Sequence, residues 1–234
     1  MTAEREVEVA ASLAIVRQRI ARAASAAGRD TDEITLVVVT KYFPASDVRL
    51  LAALGVTDVA ENRHQEAVEK SEACADLDLR WHFVGGLQSN KATAVTRYAD
   101  VVQSVDRLKL VAPLARGAQE RGRALDVALQ VSLDPPDRDH RAGVRPEELS
   151  DLAAAVASVD GLRLRGLMAV APLDERPADA FDRLAGVREG FLAEHPDARW
   201  LSAGMSADLE DAITRGATHV RIGSAVLGSR PGLQ

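Results

Sequence analysis

Cysteine is nearly absent from this chain of 234 residues, and the single one, Cys74, has no partner for an internal disulfide. No Cys/His cluster shows the spacing of metal ligands, so Cys74 reads as an ordinary buried or half-buried thiol. No uninterrupted apolar run approaches the roughly 18 residues that a membrane-spanning helix needs. The opening "MTAEREVEVA" mixes charges and lacks the apolar stretch of a signal peptide. Basic residues are outnumbered, 29 Lys and Arg against 35 Asp and Glu, and they form no block or arm. A net charge of -6 argues against binding driven by phosphate neutralisation on a nucleic acid. These absences predict a soluble cytoplasmic protein with no metal and no nucleic-acid or membrane partner.

What is present is a regular alternation. Apolar residues at Val9, Leu13, Val16 and Ile20 have helical spacing, with Gly28 as the stop. Eight β-rich runs follow, at 34–40, 57–60, 80–85, 100–105, 125–133, 162–170, 199–204 and 219–223. Helical stretches separate them. In "PASDVRLLAALG" Pro44 suits the first turn and Gly55 the C-terminal cap. In "SADLEDAITRG" Ser206 is the expected N-cap and Gly216 the stop. The run at 34–40 lacks polar alternation, as expected for a parallel strand covered on both faces. Eight βα units in this length predict a single domain over residues 1–234, a (β/α)8 barrel of the TIM type with an extra N-terminal helix. An open doubly wound sheet is the alternative, but no GxGxxG follows the first strand. The polar stretch 132–148 predicts a mobile loop rather than a domain boundary.

Barrel sites gather at the C-terminal ends of the strands. Those ends carry Lys41, Asn62, His82, Met168, Ser202, Ser206, Arg221, Gly223 and Ser224. Each has a plain alternative. Lys41, at the end of the apolar run in "LVVVTKYFP" and just before a turn, is either a surface lysine or an amine held at the mouth. Gly223–Ser224 is either a tight turn or an anion site, where glycine admits close approach and free N–H groups face the ligand. Arg221 needs an acceptor, either at the surface or inside the mouth. His82 is a satisfied core histidine or a catalyst, Met168 a core or wall residue, and Asn62 a turn or pocket residue. A closed barrel makes strand one and strand eight neighbours. A lysine facing a phosphate turn suits pyridoxal 5′-phosphate, which carries both an aldehyde and a phosphate.

The motifs "VVTKYFP", "VAENRHQEAVEK", "WHFVGGLQSNK", "LRGLMAV", "LSAGMSADLEDAI" and "THVRIGSAVLG" span almost the whole chain. Together they resemble the pyridoxal phosphate homeostasis protein family, single-domain relatives of the alanine racemase N-terminal barrel. The resemblance implies that Lys41 binds pyridoxal 5′-phosphate as a reversible Schiff base. It implies that Ser202, Ser206, Gly223 and Ser224 surround the phosphate and that Arg221 faces the pyridine nitrogen. It places Asn62, His82 and Met168 around the ring. Arg63 stands where many members carry an aromatic residue, and Ser224 where many carry threonine.

A cation at the ring nitrogen weakens the cofactor as an electron sink. Racemases with this barrel also use a base from a second domain. This sequence stops at Gln234, and its tyrosines, Tyr42 and Tyr98, mark no clear strand end. The expectation is therefore a non-catalytic carrier, monomeric or weakly dimeric, that delivers the cofactor to apo-enzymes. A weak amino-acid racemase is the second reading. A third is a phosphate-ligand enzyme in which Lys41 condenses with a sugar aldehyde.

Overall fold

The computed structural model describes residues 3–134 and 142–229. Helix α1 (Ala3–Ala26) is followed by eight strands alternating with helices. In order these are β1 (Thr35–Val39), α2 (Ala45–Ala53), β2 (Asp58–Glu61), α3 (His64–Ala73), β3 (Arg80–Phe83), α4 (Ala92–Val95), β4 (Val101–Val105) and α5 (Val111–Glu120). Then come β5 (Leu125–Gln130), α6 (Leu149–Ala157), β6 (Leu162–Met168), α7 (Pro177–Glu194), β7 (Trp200–Ser202), α8 (Leu209–Thr214), β8 (His219–Ile222) and α9 (Ser224–Leu227). The strands form a closed barrel in sequential order, each parallel to its neighbours. The expected (β/α)8 barrel with an extra N-terminal helix is the observed fold. Among the described residues no helix is long and apolar enough to cross a membrane. Of the loop 132–148, residues 135–141 lie outside the described residues.

Two local expectations change. Most strands are shorter than the apolar runs, whereas β2 keeps four residues and is shifted by one. The cap of α8 is not Ser206 but Asp208, whose Oδ1 accepts the Met205 N–H at 2.5 Å. Asp208 makes no side-chain cap bond to the helix, and the Ser206 hydroxyl instead faces Ser224 and the Ala225 N–H.

Apolar side chains lie between barrel and helices, in two clusters. One joins β3 to β7 with α4 to α7. The other joins α1, α2, α8 and α9 with β1, β2, β3 and β8. Val9, Leu13, Val16 and Ile20 of α1 are all at most 3% exposed, and each such burial contributes about 1.5–3 kcal/mol. Two arginines of α1 fix the last elements. Arg5 donates to the Leu227 carbonyl at 2.9 Å and to Asp47 at 2.8 Å. Arg19 donates to the Ser206 carbonyl at 3.0 Å and pairs with Glu210 at 2.7 Å.

The barrel interior is polar. At its N-terminal end Asp126 pairs with Arg80 and with Arg163, and the Arg80 and Arg165 guanidiniums lie 4.8 and 4.6 Å from the Trp200 ring centroid. The Trp200 backbone comes that close to β6 only because residue 166 is glycine. A Cβ there would sit 2.0 Å from the Trp200 carbonyl oxygen, and Gly166 has φ +152. The β5–β6 register slips just before it, as a bulge would make it do. Gly166→Ala is expected to lower unfolding free energy by ~2–4 kcal/mol in urea titrations, whereas Gly186→Ala, with open space around it, should be neutral or stabilising.

Candidate functional site

The site is built from the residue after β1. Thr40 turns its hydroxyl into the wall and donates to Glu61 Oε1 at 2.6 Å. Lys70 of α3 reaches in beside it, donating to the Thr40 carbonyl at 2.8 Å and to Glu61 Oε1 at 2.7 Å. On the other side of Lys41, the Tyr42 N–H donates to Glu66 Oε2 at 2.9 Å, with Tyr42 at φ +70. A bulky residue holds that left-handed geometry only when its surroundings dictate it. The peptides before and after Lys41 are thus both pinned, and the side chain between them is delivered to the mouth. Burial raises the Glu61 carboxyl above its usual range, opposed by hydrogen bonds from Lys70 and Thr40.

Lys41 lines a cavity of about 440 Å³ with Asn62, Met168, Ser206, Gly223 and Ser224, a volume suited to a small cofactor. Arg221 reaches the same cavity. Among the described residues the Lys41 amine has no hydrogen bond or ion pair; it lies 5.9 Å from the Tyr42 ring centroid. Across the mouth, Ser206 Oγ accepts the Ala225 N–H and sits 3.3 Å from Ser224 Oγ. The turn is close to β1, since a Cβ on Gly223 would meet the Val39 carbonyl at 3.3 Å. The buried Asn62 Oδ1 has no partner among the described residues. Gly85 lets the chain pass over Asn62, whose carbonyl would lie 2.1 Å from a Cβ at that position.

Ser202, expected at the phosphate, and His82, expected at the ring, do not line the cavity. His82 is 0% and Ser202 1% exposed, and both sit inside the barrel beneath the cavity. Ser202 cannot offer its hydroxyl to a phosphate there: the proton goes to Gln103 Oε1 at 2.7 Å, and the oxygen accepts from Arg221 NH1 at 2.8 Å. His82 bridges Asp58 at 2.9 Å and Gln103 at 2.7 Å. Arg221 has a second acceptor, the Ala169 carbonyl at 2.8 Å. Burial lowers its guanidinium to about 10, so it stays protonated near neutrality.

Sequence reasoning missed three contributors. Tyr42, set aside as unplaced, lines the cavity, and Arg63 lies 4.9 Å from its ring centroid, in the position where an aromatic was expected. Gln130, at the end of β5, is also in the wall. The Glu61–Lys70 pair was missed although the acid closes a strand and the lysine follows Glu66 at helical i,i+4 spacing. Those two signals together were readable.

The alanine racemase N-terminal domain family matches residues 12–231. A Mycobacterium tuberculosis protein named pyridoxal phosphate homeostasis protein is 43% identical, over 97% of this chain and 95% of its own length. One of the same name from Pseudomonas aeruginosa is 44% identical over 95% and 96%. The structure of PipY from Synechococcus elongatus, with PLP bound, superposes with a TM-score of 0.81 at 33% identity, covering 94% of this chain and all of the other. A barrel with its lysine, hydroxyls and arginine at one mouth, matched along nearly its whole length, places this chain in the alanine racemase N-terminal domain family, among the pyridoxal phosphate homeostasis proteins.

Proposed function

We propose that the chain holds pyridoxal 5′-phosphate on Lys41 as a reversible Schiff base and passes it to apo-enzymes. The observation that carries this reading is the meeting, in one cavity, of an amine unpaired among the described residues, a pair of hydroxyls and a buried guanidinium. The fit is chemical. The amine matches the aldehyde, condensing with loss of water, and the hydroxyls of Ser206 and Ser224 with the Gly223–Ser224 backbone match the phosphate. Arg221 matches the pyridine nitrogen, and the Asn62 Oδ1, unpartnered among the described residues, is left to accept from a polar group of the ligand. The cofactor supplies an electrophilic carbonyl and an electron-withdrawing ring. A relative with PLP bound and two relatives named for its homeostasis support the assignment. Holding and release by one chain then fit a cytoplasmic carrier, monomeric or weakly dimeric.

Borohydride reduction of the loaded protein followed by peptide mapping should leave a pyridoxyl group on Lys41. An adduct confined to Lys91 or Lys109 would overturn the assignment. Lys41→Ala should still fold, because the side chain leaves a rim position and not a core one.

The phosphate end anchors the ligand. Hydrogen bonds to a charged group contribute roughly 1.5–3 kcal/mol each, so pyridoxal should bind at least about tenfold more weakly than its phosphate. Equal affinities by titration would refute that anchoring. Ser224→Asp, which sets a carboxylate beside the phosphate, should cost more than Ser224→Ala.

A protonated Arg221 would disfavour a proton on the pyridine nitrogen of the bound cofactor, which would weaken carbanion stabilisation. Tyr42 is the one tyrosine in the cavity wall among the described residues, and it gives the weak-racemase reading a definite test. The protein should activate an added apo-enzyme while leaving L-alanine and L-serine unracemised. Turnover near ~1 per second that disappears in both Lys41→Ala and Tyr42→Phe would replace the carrier by an enzyme.

A further inference from the structure

Beneath the cavity one hydrogen-bonded chain crosses the barrel through five strands: Asp58 on β2, His82 on β3, Gln103 on β4, Ser202 on β7 and Arg221 on β8. All five are at most 7% exposed. Its direction follows from the far end. Asp58 is held ionised: burial pushes its carboxyl up, but hydrogen bonds from His82 and Thr57 outweigh that and bring it below its usual range. An ionised carboxylate only accepts, so the proton facing it sits on His82 Nε2. Burial keeps the imidazole neutral, which leaves Nδ1 as a lone pair. Gln103 must therefore turn its amide nitrogen to His82 and its oxygen to Ser202. Ser202 spends its only proton on that oxygen and keeps its lone pairs for Arg221. Every donor points from the guanidinium towards the carboxylate, an order in which each bond polarises the next.

We infer that Gln103, backed by His82 and Asp58, is a positioning residue that orients the Ser202 hydroxyl and so presents Arg221 in one fixed attitude to the ring nitrogen of a pyridine ligand. The inference rests on the proposed binding of pyridoxal 5′-phosphate and adds residues that do not touch it. Two of the guanidinium's edges are claimed, NH1 by Ser202 and NH2 by the Ala169 carbonyl. No carboxylate pairs with Arg221 among the described residues, so its plane is set by neutral acceptors whose own orientation comes from behind. Remove the Gln103 amide, and the Ser202 proton is free to turn towards Arg221 and repel it.

Two measurements test this. In the protein without ligand, nitrogen-15 NMR should show His82 as the neutral Nε2–H form, with Nδ1 accepting a hydrogen bond that Gln103→Met removes. An Nδ1–H form or an imidazolium in the wild type would reverse the order and sink the inference. With ligand, Gln103→Met and Ser202→Ala should each weaken pyridoxal 5′-phosphate about tenfold, the loss of one charged-group hydrogen bond. Each should change affinity for the 1-deaza analogue, which lacks the ring nitrogen, by less than about twofold. The double variant should lose no more than either single one, because both act through the same bond. Equal losses for the two ligands, or additive losses, would show that the residues only support the fold. Failure of the wild type to bind the cofactor would refute the function proposed above, and the His82 spectrum would still decide the order of the relay.

Discussion

The hydrogen bonds that close the barrel between β1 and β8 are the constraint on which the mouth depends. Val38 lies in register with Ile222, and the Thr35 N–H donates to the Thr218 carbonyl at 2.8 Å. That pairing carries the residue after β1 to the turn after β8, although they are far apart in sequence. Without it Lys41 would end an edge strand and Gly223–Ser224 would be an ordinary turn. Both features acquire chemical meaning only from closure, and the clamps around Lys41 refine a placement that the sheet has already made.

Closure also creates an interior that has to be filled. Barrels of this kind usually fill it with layers of branched apolar side chains. Here much of the space goes to charged and amide groups, with the apolar mass outside the strands. A buried polar group without a partner costs roughly 1–3 kcal/mol, so the arrangement is tolerable only because each member of the Asp58-to-Arg221 chain is bonded on both sides or at its charged end. His219, another interior histidine, follows the same rule: burial pushes it down to about 3, with neighbouring His82 adding to the shift, and Thr218 supplies a hydrogen bond at 2.8 Å. Neutral histidines let the interior hold these groups without further counter-charges.

Much of this was legible in the sequence, for identifiable reasons. The eight strands were visible because a parallel strand covered on both faces leaves a short apolar run. Lys41, Asn62, Arg221 and Gly223 were found at the rim because strand ends can be counted. Depth was not legible. Alternation says that His82 and Ser202 face inward, but whether an inward residue reaches the mouth depends on the stagger between strands, which only the closed barrel defines. Gln103 was invisible for the same reason: nothing local distinguishes it from any buried glutamine. Ser206 was misread as a helix cap because Asp208 competes for that role, and Tyr42 was overlooked because a left-handed residue leaves no periodic signal.

Helix α1 has a consequence for how the protein is made. Its apolar stripe packs on α8 and α9, and Arg19 meets the Ser206 carbonyl across 187 residues of sequence. Contacts of such range form late, since loop closure must precede any gain from packing. A chain in which α8 and α9 have not yet docked leaves the stripe of Val9, Leu13, Val16 and Ile20 without its two main helical partners. It also has only half a mouth. Lys41 precedes the turn that faces it in the chain, so the amine stays a bare lysine until β8 has paired with β1.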